Sequence, residues 1–87
     1  MRDLFVTGQF RKDLLKIPDF ARGEADLVVR KLRVDPIDKK LNAKKLVQIN
    51  PSVWRVRVGS YRLVYTFDGT SVTLLRIRHR KDVYRNL

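Results

Sequence analysis

Cysteine is absent from this 87-residue chain, which excludes a disulfide framework and any thiolate ligation of zinc or an iron–sulfur cluster. With one histidine and few carboxylates, no metal site is expected, and no motif calls for a cofactor. No apolar run approaches the roughly 18 residues that a membrane span requires. The N-terminal stretch MRDLFVTGQFRKD lacks the apolar core and small-residue cleavage site of a secretory signal. A soluble, cytoplasmic protein with no membrane partner is therefore expected, and the length suits one domain covering residues 1–87.

Negative charge is the scarcest resource. Nine acidic residues face 20 basic ones, for a formal net charge of +11. Up to Asn50 the two signs are mixed and lysine alternates with arginine, as on solvated helices. From Pro51 onward eight basic side chains, nearly all arginine, face two acids, Asp68 and Asp82. A field of this sign recruits polyanions and adds self-repulsion to the compact state. Nucleic acid is the leading partner and an acidic protein the next. Membrane adsorption ranks behind both, because the cations lie in strands and not on an amphipathic helix.

Leu4, Phe5 and Val6 read as a short strand closed by Thr7-Gly8. Thr7 is a candidate N-cap for a helix from about Gln9 to Ile17, with Phe10 and Leu14 one turn apart. Pro18 breaks that helix, and Asp19 leads a second one that runs to about Val34 before Asp35-Pro36 stops it. Ala21, Ala25, Val28, Val29 and Leu32 form its apolar stripe. From Pro36 to Lys45 the chain is a basic loop that enters a strand at Leu46-Val47. Asn50-Pro51-Ser52 signals a turn, after which the hydrophobic period drops to two.

Gly59-Ser60 suits a two-residue type II′ hairpin turn. It sets Arg57 opposite Arg62, with Arg55 on the same face, while Trp54, Val56, Val58, Tyr61, Leu63 and Tyr65 share the other. The apolar face packs on the helix pair. The next turn decides the remaining arginines. A two-residue Asp68-Gly69 loop would put Arg76, Arg78 and Arg80 on the face of Trp54 and Leu63. A bulged three-residue loop, or an equivalent bulge later in the strand, would send them to the face of Arg57 and Arg62. Burying unpaired guanidiniums costs several kcal/mol each, and no acid lies nearby in sequence, so a bulge is expected.

An arginine face can bind phosphate and stabilise a dianionic phosphorane during attack of a ribose 2′-OH on its neighbouring phosphate. Arg55, Arg57, Arg62 and Arg80 suit that role. None can be the general base, because a guanidinium does not deprotonate at neutral pH. Tyr84 and His79 remain as candidates, the first with a phenolate favoured by neighbouring positive charge. Lys39, Lys40, Lys44, Lys45, Arg76, Arg78 and Lys81 extend the basic surface as candidate contacts to RNA or a ribosome. Trp54, Tyr61 and Tyr65 are read as core.

The stretch WRVRVGSYRLVY followed by RIRHRKDVY resembles the C-terminal half of toxins of the RelE/ParE superfamily. The short strand, two helices and basic loop before it are similar as well, so the resemblance covers essentially the whole chain. It implies an α+β fold: two N-terminal helices packed on one face of a small, mainly antiparallel twisted sheet, with a short C-terminal tail. It also implies the toxin of a toxin–antitoxin pair, closest to the RelE type, which enters the ribosomal A site and cuts mRNA there. On this pattern Arg55, Arg57, Arg62, Arg80 and Tyr84 fall at catalytic positions. The partners implied are an acidic cognate antitoxin, in a heterodimer or heterotetramer, and the ribosome with its mRNA. Two departures stand out: arginines replace the lysines that some relatives carry before the turn, and Arg78 stands where a small residue is common. The alternatives are a ParE-type toxin that inhibits DNA gyrase by protein binding, and a nucleic-acid-binding domain without activity.

Overall fold

The computed structural model describes residues 1–46 and 52–81. Strand β1 (Asp3–Val6) leads into helices α1 (Gly8–Leu14) and α2 (Asp19–Val34), followed by a single 3₁₀ turn (Lys39–Leu41). Four more strands follow: β2 (Lys44–Leu46), β3 (Val53–Val58), β4 (Tyr61–Phe67) and β5 (Ser71–His79). They form one mixed sheet in the order β1-β5-β4-β3-β2, with β1 parallel to β5 and every other pair antiparallel. The two helices pack against it, as the α+β expectation required.

Local chemistry fixes the helix ends. The Thr7 hydroxyl accepts the Phe10 N–H at 3.1 Å and donates to the Leu75 carbonyl at 3.0 Å, so one side chain starts α1 and ties it to β5. Helix α1 ends three residues before the expected Ile17, because the Lys16 N–H closes back on the Asp13 carbonyl and Pro18 prevents continuation. Arg22, one turn into α2, donates to the Leu14 and Ile17 carbonyls at 2.9 and 3.1 Å, capping the end of α1. The stripe Ala21, Ala25, Val29 and Leu32 is buried against Val56, Leu63, Tyr65, Val72 and Ile77. Full burial of such side chains contributes about 1.5–3 kcal/mol for each large one.

The β3–β4 register is the one that the Gly59-Ser60 turn dictates: Trp54 opposite Tyr65, Val56 opposite Leu63, and Arg57 opposite Arg62. Gly59 has φ +61° whereas Ser60 stays at negative φ, the type II′ combination. The edge strand β2 comes earlier than Leu46-Val47, because Lys44 and Lys45 already pair with Arg55 and Trp54.

The second turn takes neither of the two loop forms first considered. Asp68 donates its N–H to the Ser71 carbonyl, and its carboxylate accepts the Thr70 and Ser71 N–H groups at 2.8 Å each, so Gly69 and Thr70 are the loop residues. Those bonds hold the exposed Asp68 carboxyl below its ordinary pKa. The bulge comes later in β5. Tyr65 faces Leu74 but Val64 faces Arg76, which leaves Leu75 unpaired. Without it Arg76 would lie opposite Leu63 in the core. With it Ile77 takes that place, and Arg76 and Arg78 pass to the other face.

That other face is not all charge. Val53 and Val64, with Leu46 and Leu75 packed on them, form a second small apolar cluster.

Candidate nucleic-acid interface

One cross-strand row carries Arg57 on β3, Arg62 on β4 and Arg78 on β5. Neighbouring Cα atoms in such a row lie about 4.5–5.5 Å apart. Like charges so placed destabilise a sheet by roughly 0.2–1 kcal/mol per pair. The adjacent row runs Lys44, Arg55, Val64, Arg76. The bulge, the type II′ turn and the pleat therefore converge Lys44, Arg55, Arg57, Arg62 and Arg78 on one face. Arg80 follows directly after β5, exposed, with its N–H on the Ser60 carbonyl at 3.0 Å.

The partners of these guanidiniums differ. Arg62 donates through Nη1 to the Tyr61 carbonyl at 3.2 Å. The Nη1 of Arg55 is buried and has no hydrogen-bond partner among the described residues. A buried donor in that condition costs on the order of 1–3 kcal/mol, more when charged, and an anionic oxygen would satisfy it with a charge-assisted bond.

Arg76 departs from the expectation that it binds RNA. Its Nε and Nη2 donate to the two oxygens of Asp13 at 2.8 and 3.2 Å, in a pair that is 16% exposed at the arginine and 4% at the aspartate. Asp13 also accepts the Ile77 N–H at 3.1 Å, at the edge of β5 that β1 leaves open beyond Leu74. The bonds to Asp13 raise the pKa of Arg76 above its ordinary value. No acid lies near these arginines in sequence, and the fold brings Arg76 one from 63 residues away. The available signal was its helical spacing, which sets Asp13 with Phe10 and Leu14 on the inner side of α1.

His79 does not share the arginine face. It stands opposite Tyr61 on the helix side, with the two rings edge-on at 5.9 Å, and its Nδ1 accepts the Lys81 N–H at 3.3 Å. Tyr84 lies outside the described residues. Lys39, Lys40 and Lys81 are exposed, and Lys45 faces the opposite side from Lys44. Tyr65 is core, as expected. Its hydroxyl donates to the Pro36 carbonyl, and burial, then the Asp35 charge, push its phenol far above the ordinary value. Trp54 packs against the core beside Phe67. Among the described residues no group of three metal-ligating side chains occurs.

A helix pair on a five-stranded mixed sheet with this topology is the architecture of small bacterial and archaeal toxins. The toxin of the archaeal RelE–RelB complex from Pyrococcus horikoshii OT3 superposes with a TM-score of 0.78 at 20% identity, over 93% of this chain and 97% of that one. The RelB–RelE antitoxin–toxin complex from Methanococcus jannaschii gives 0.76 at 27% identity, over 92% and 94%. In sequence, Toxin RelE3 of Methanocaldococcus jannaschii is 31% identical over 86 residues, covering 97% of this chain and 96% of the relative. Toxin RelG of Mycobacterium tuberculosis is 36% identical over 86 residues, covering 86% of each. The family model described as the ParE toxin of type II toxin–antitoxin systems matches residues 4–84. The chain belongs to this family of toxins, within the RelE/ParE superfamily, and its relatives in sequence are named as RelE and RelG toxins.

Proposed function

We propose that this toxin inhibits translation as a ribosome-dependent endoribonuclease that cuts mRNA in the A site. The observation that carries the reading is the row Arg57–Arg62–Arg78, with the buried Nη1 of Arg55, which bonds to none of the described residues, beside it. Stacking like charges costs stability, and a phosphodiester both relieves that cost and satisfies the buried donor. In the reaction a ribose 2′-oxygen attacks the adjacent phosphorus and the bond from phosphorus to the 5′-oxygen breaks. The arginines hold the equatorial oxygens as charge builds on them. The leaving 5′-oxygen takes up a proton from water, and the products are a 2′,3′-cyclic phosphate and a 5′-hydroxyl.

The 2′-OH proton requires a base. His79 fits poorly, since it lies on the helix side with Nδ1 engaged by Lys81. The role therefore goes to Tyr84, and Arg55, Arg57, Arg62 and Arg80 supply the cations for the phosphate. Arg78 joins them as a further phosphate contact, whereas Arg76 is a structural residue. The lysines Lys39, Lys40, Lys44, Lys45 and Lys81 supply longer-range attraction to ribosomal RNA. The chain acts as one toxin domain in the cytoplasm. Its cognate partner is an acidic antitoxin in a heterodimer or heterotetramer, in keeping with neighbours solved as complexes with RelB.

A gyrase-directed activity is the second reading, favoured by the ParE description of the matching family. Induction without antitoxin separates the two. Loss of protein synthesis with mRNA cut inside translated codons supports the endoribonuclease. Loss of supercoiling with mRNA intact supports the gyrase reading and removes the first.

A further inference from the structure

Helix α2 turns Ala21, Ala25, Val29 and Leu32 inward, yet it also shows solvent three large apolar side chains. Phe20, Leu27 and Val34 are 69%, 57% and 66% exposed. They stand seven residues apart, a spacing that keeps them in one line along the outer surface of the helix. Single exposed apolar residues are ordinary on a folded surface, whereas an aligned set running the length of a helix forms a seam. The charges beside this seam suit a second copy of the same helix. Glu24 follows Phe20 by four residues and Lys31 follows Leu27 by four, so both lie on one flank. Both are exposed and neither forms an ion pair with a described residue, whereas Arg30, on the other flank, is paired with Asp26 at 3.0 Å. Glu24 and Lys31 are about 10.5 Å apart along the helix axis, too far to pair with each other. A two-fold axis crossing the seam at Leu27 runs a partner helix antiparallel. It sets Leu27 on its own counterpart, Phe20 against Val34 of the other copy, and Glu24 within reach of Lys31 twice over. Gly23, with open space around it, leaves room on the opposite flank for the long side chain that faces it.

We propose that the chain self-associates as a two-fold dimer through an antiparallel pair of α2 helices. The inference does not rest on the RNA-cleavage reading. The helices pack on the sheet face opposite the arginine row, so both rows stay uncovered in the dimer. Helix α2 is itself close to neutral, with three acids against four bases. A contact between two helices of this length is smaller than the roughly 1,200 Å² of a stable interface, so association is weak, with a dissociation constant on the order of 0.1 mM. Two chains of net charge +11 repel each other, and salt screens that repulsion beyond a Debye length of about 8–10 Å. Dimerisation should therefore tighten as salt rises, opposite in sign to RNA binding.

Sedimentation equilibrium of the full chain, from about 0.02 to 1 mM protein and at roughly 0.1 and 0.5 M salt, tests this. The expected result is a monomer–dimer equilibrium that tightens severalfold at the higher salt. Leu27→Asp puts two like charges on the axis and should weaken the dimer by about tenfold or more, with an unchanged circular dichroism spectrum because the side chain is exposed. Glu24→Lys and Lys31→Glu should each weaken it about fivefold, and the double swap should restore it. Net charge alone predicts the reverse for Lys31→Glu, which lowers the repulsion. A tighter dimer in that variant therefore overturns the pairing, as does a double swap no tighter than either single variant. A monomer at every concentration and salt, or a dimer indifferent to Leu27→Asp, overturns it as well. Leu27 methyl NMR signals that shift on adding the cognate antitoxin, with the toxin alone monomeric throughout, assign the seam to that partner and overturn the self-association.

Discussion

Replacing Asp13 with alanine removes three acceptor contacts at once, two from Arg76 and one from the Ile77 N–H. The side chain is 4% exposed and its partner 16%, so water reaches neither group well. Breaking a buried pair from one side costs roughly 3–5 kcal/mol, since the remaining charge is left without compensation. The small exposure of Arg76 favours the lower end, about 3 kcal/mol. For a domain of this size 1 kcal/mol moves the melting temperature by about 4–8 °C, so a loss on the order of 12–24 °C is expected by calorimetry. The double variant Asp13→Leu/Arg76→Met removes both charges and leaves the Ile77 N–H as the main loss, so it should recover more than half of that. A single variant that melts within about 4 °C of wild type, near 1 kcal/mol by the same scale, would refute the reasoning. So would a double variant as unstable as the single one.

Arg57→Glu sets an acid opposite Arg62 at the β3 end of the row; stability should hold or rise by up to about 1 kcal/mol in denaturant melts, while ribosome affinity falls and its salt slope drops by at least ~1. Gly59→Ala forces a side chain to φ +61°, with its Cβ 3.4 Å from Glu24 Oε2; about 1–2 kcal/mol should be lost. Tyr65→Phe forfeits the hydroxyl bond to Pro36 and should cost on the order of 1 kcal/mol. The raised phenol pKa of Tyr65 has a pH signature as well. Its contribution is complete below the unfolded value near 10 and declines above it, as the unfolded phenol ionises first. An absorbance titration should accordingly find one tyrosine that resists ionisation well past pH ~10 until the chain unfolds.

Much of the architecture was legible because it rests on local signals. Thr7 and Pro18 bound the helices through capping and the missing proline N–H, and Gly59 fixes one hairpin register outright. Strand parity then separated Arg55, Arg57 and Arg62 from Trp54, Val56 and Leu63. The sequence argument also required a bulge, because arginines could not be buried without partners. It did not locate the bulge, since Leu75 carries no local mark; its position follows from the Thr7 and Asp13 contacts along β5. The partner of Arg76 was missed for the same reason. An ion pair spanning 63 residues leaves no trace in spacing, although an aspartate on the buried side of α1 was itself a warning. His79 was grouped with the arginines by proximity in sequence, whereas alternation along β5 places it on the opposite face. The apolar patch of Val53 and Val64 was also unforeseen, because both valines share their face with arginines that dominate the pattern.

On the reading proposed above, the arginine face serves RNA cleavage with Tyr84 as the base. Purified toxin added to ribosomes paused on a defined message provides the most direct measurement. A cut within the A-site codon that leaves a 5′-hydroxyl fragment is expected. Tyr84→Phe should bind those ribosomes with unchanged affinity and leave the message intact. A Tyr84→Phe protein that cuts at the wild-type rate, or a wild-type protein that binds without cutting, would contradict it.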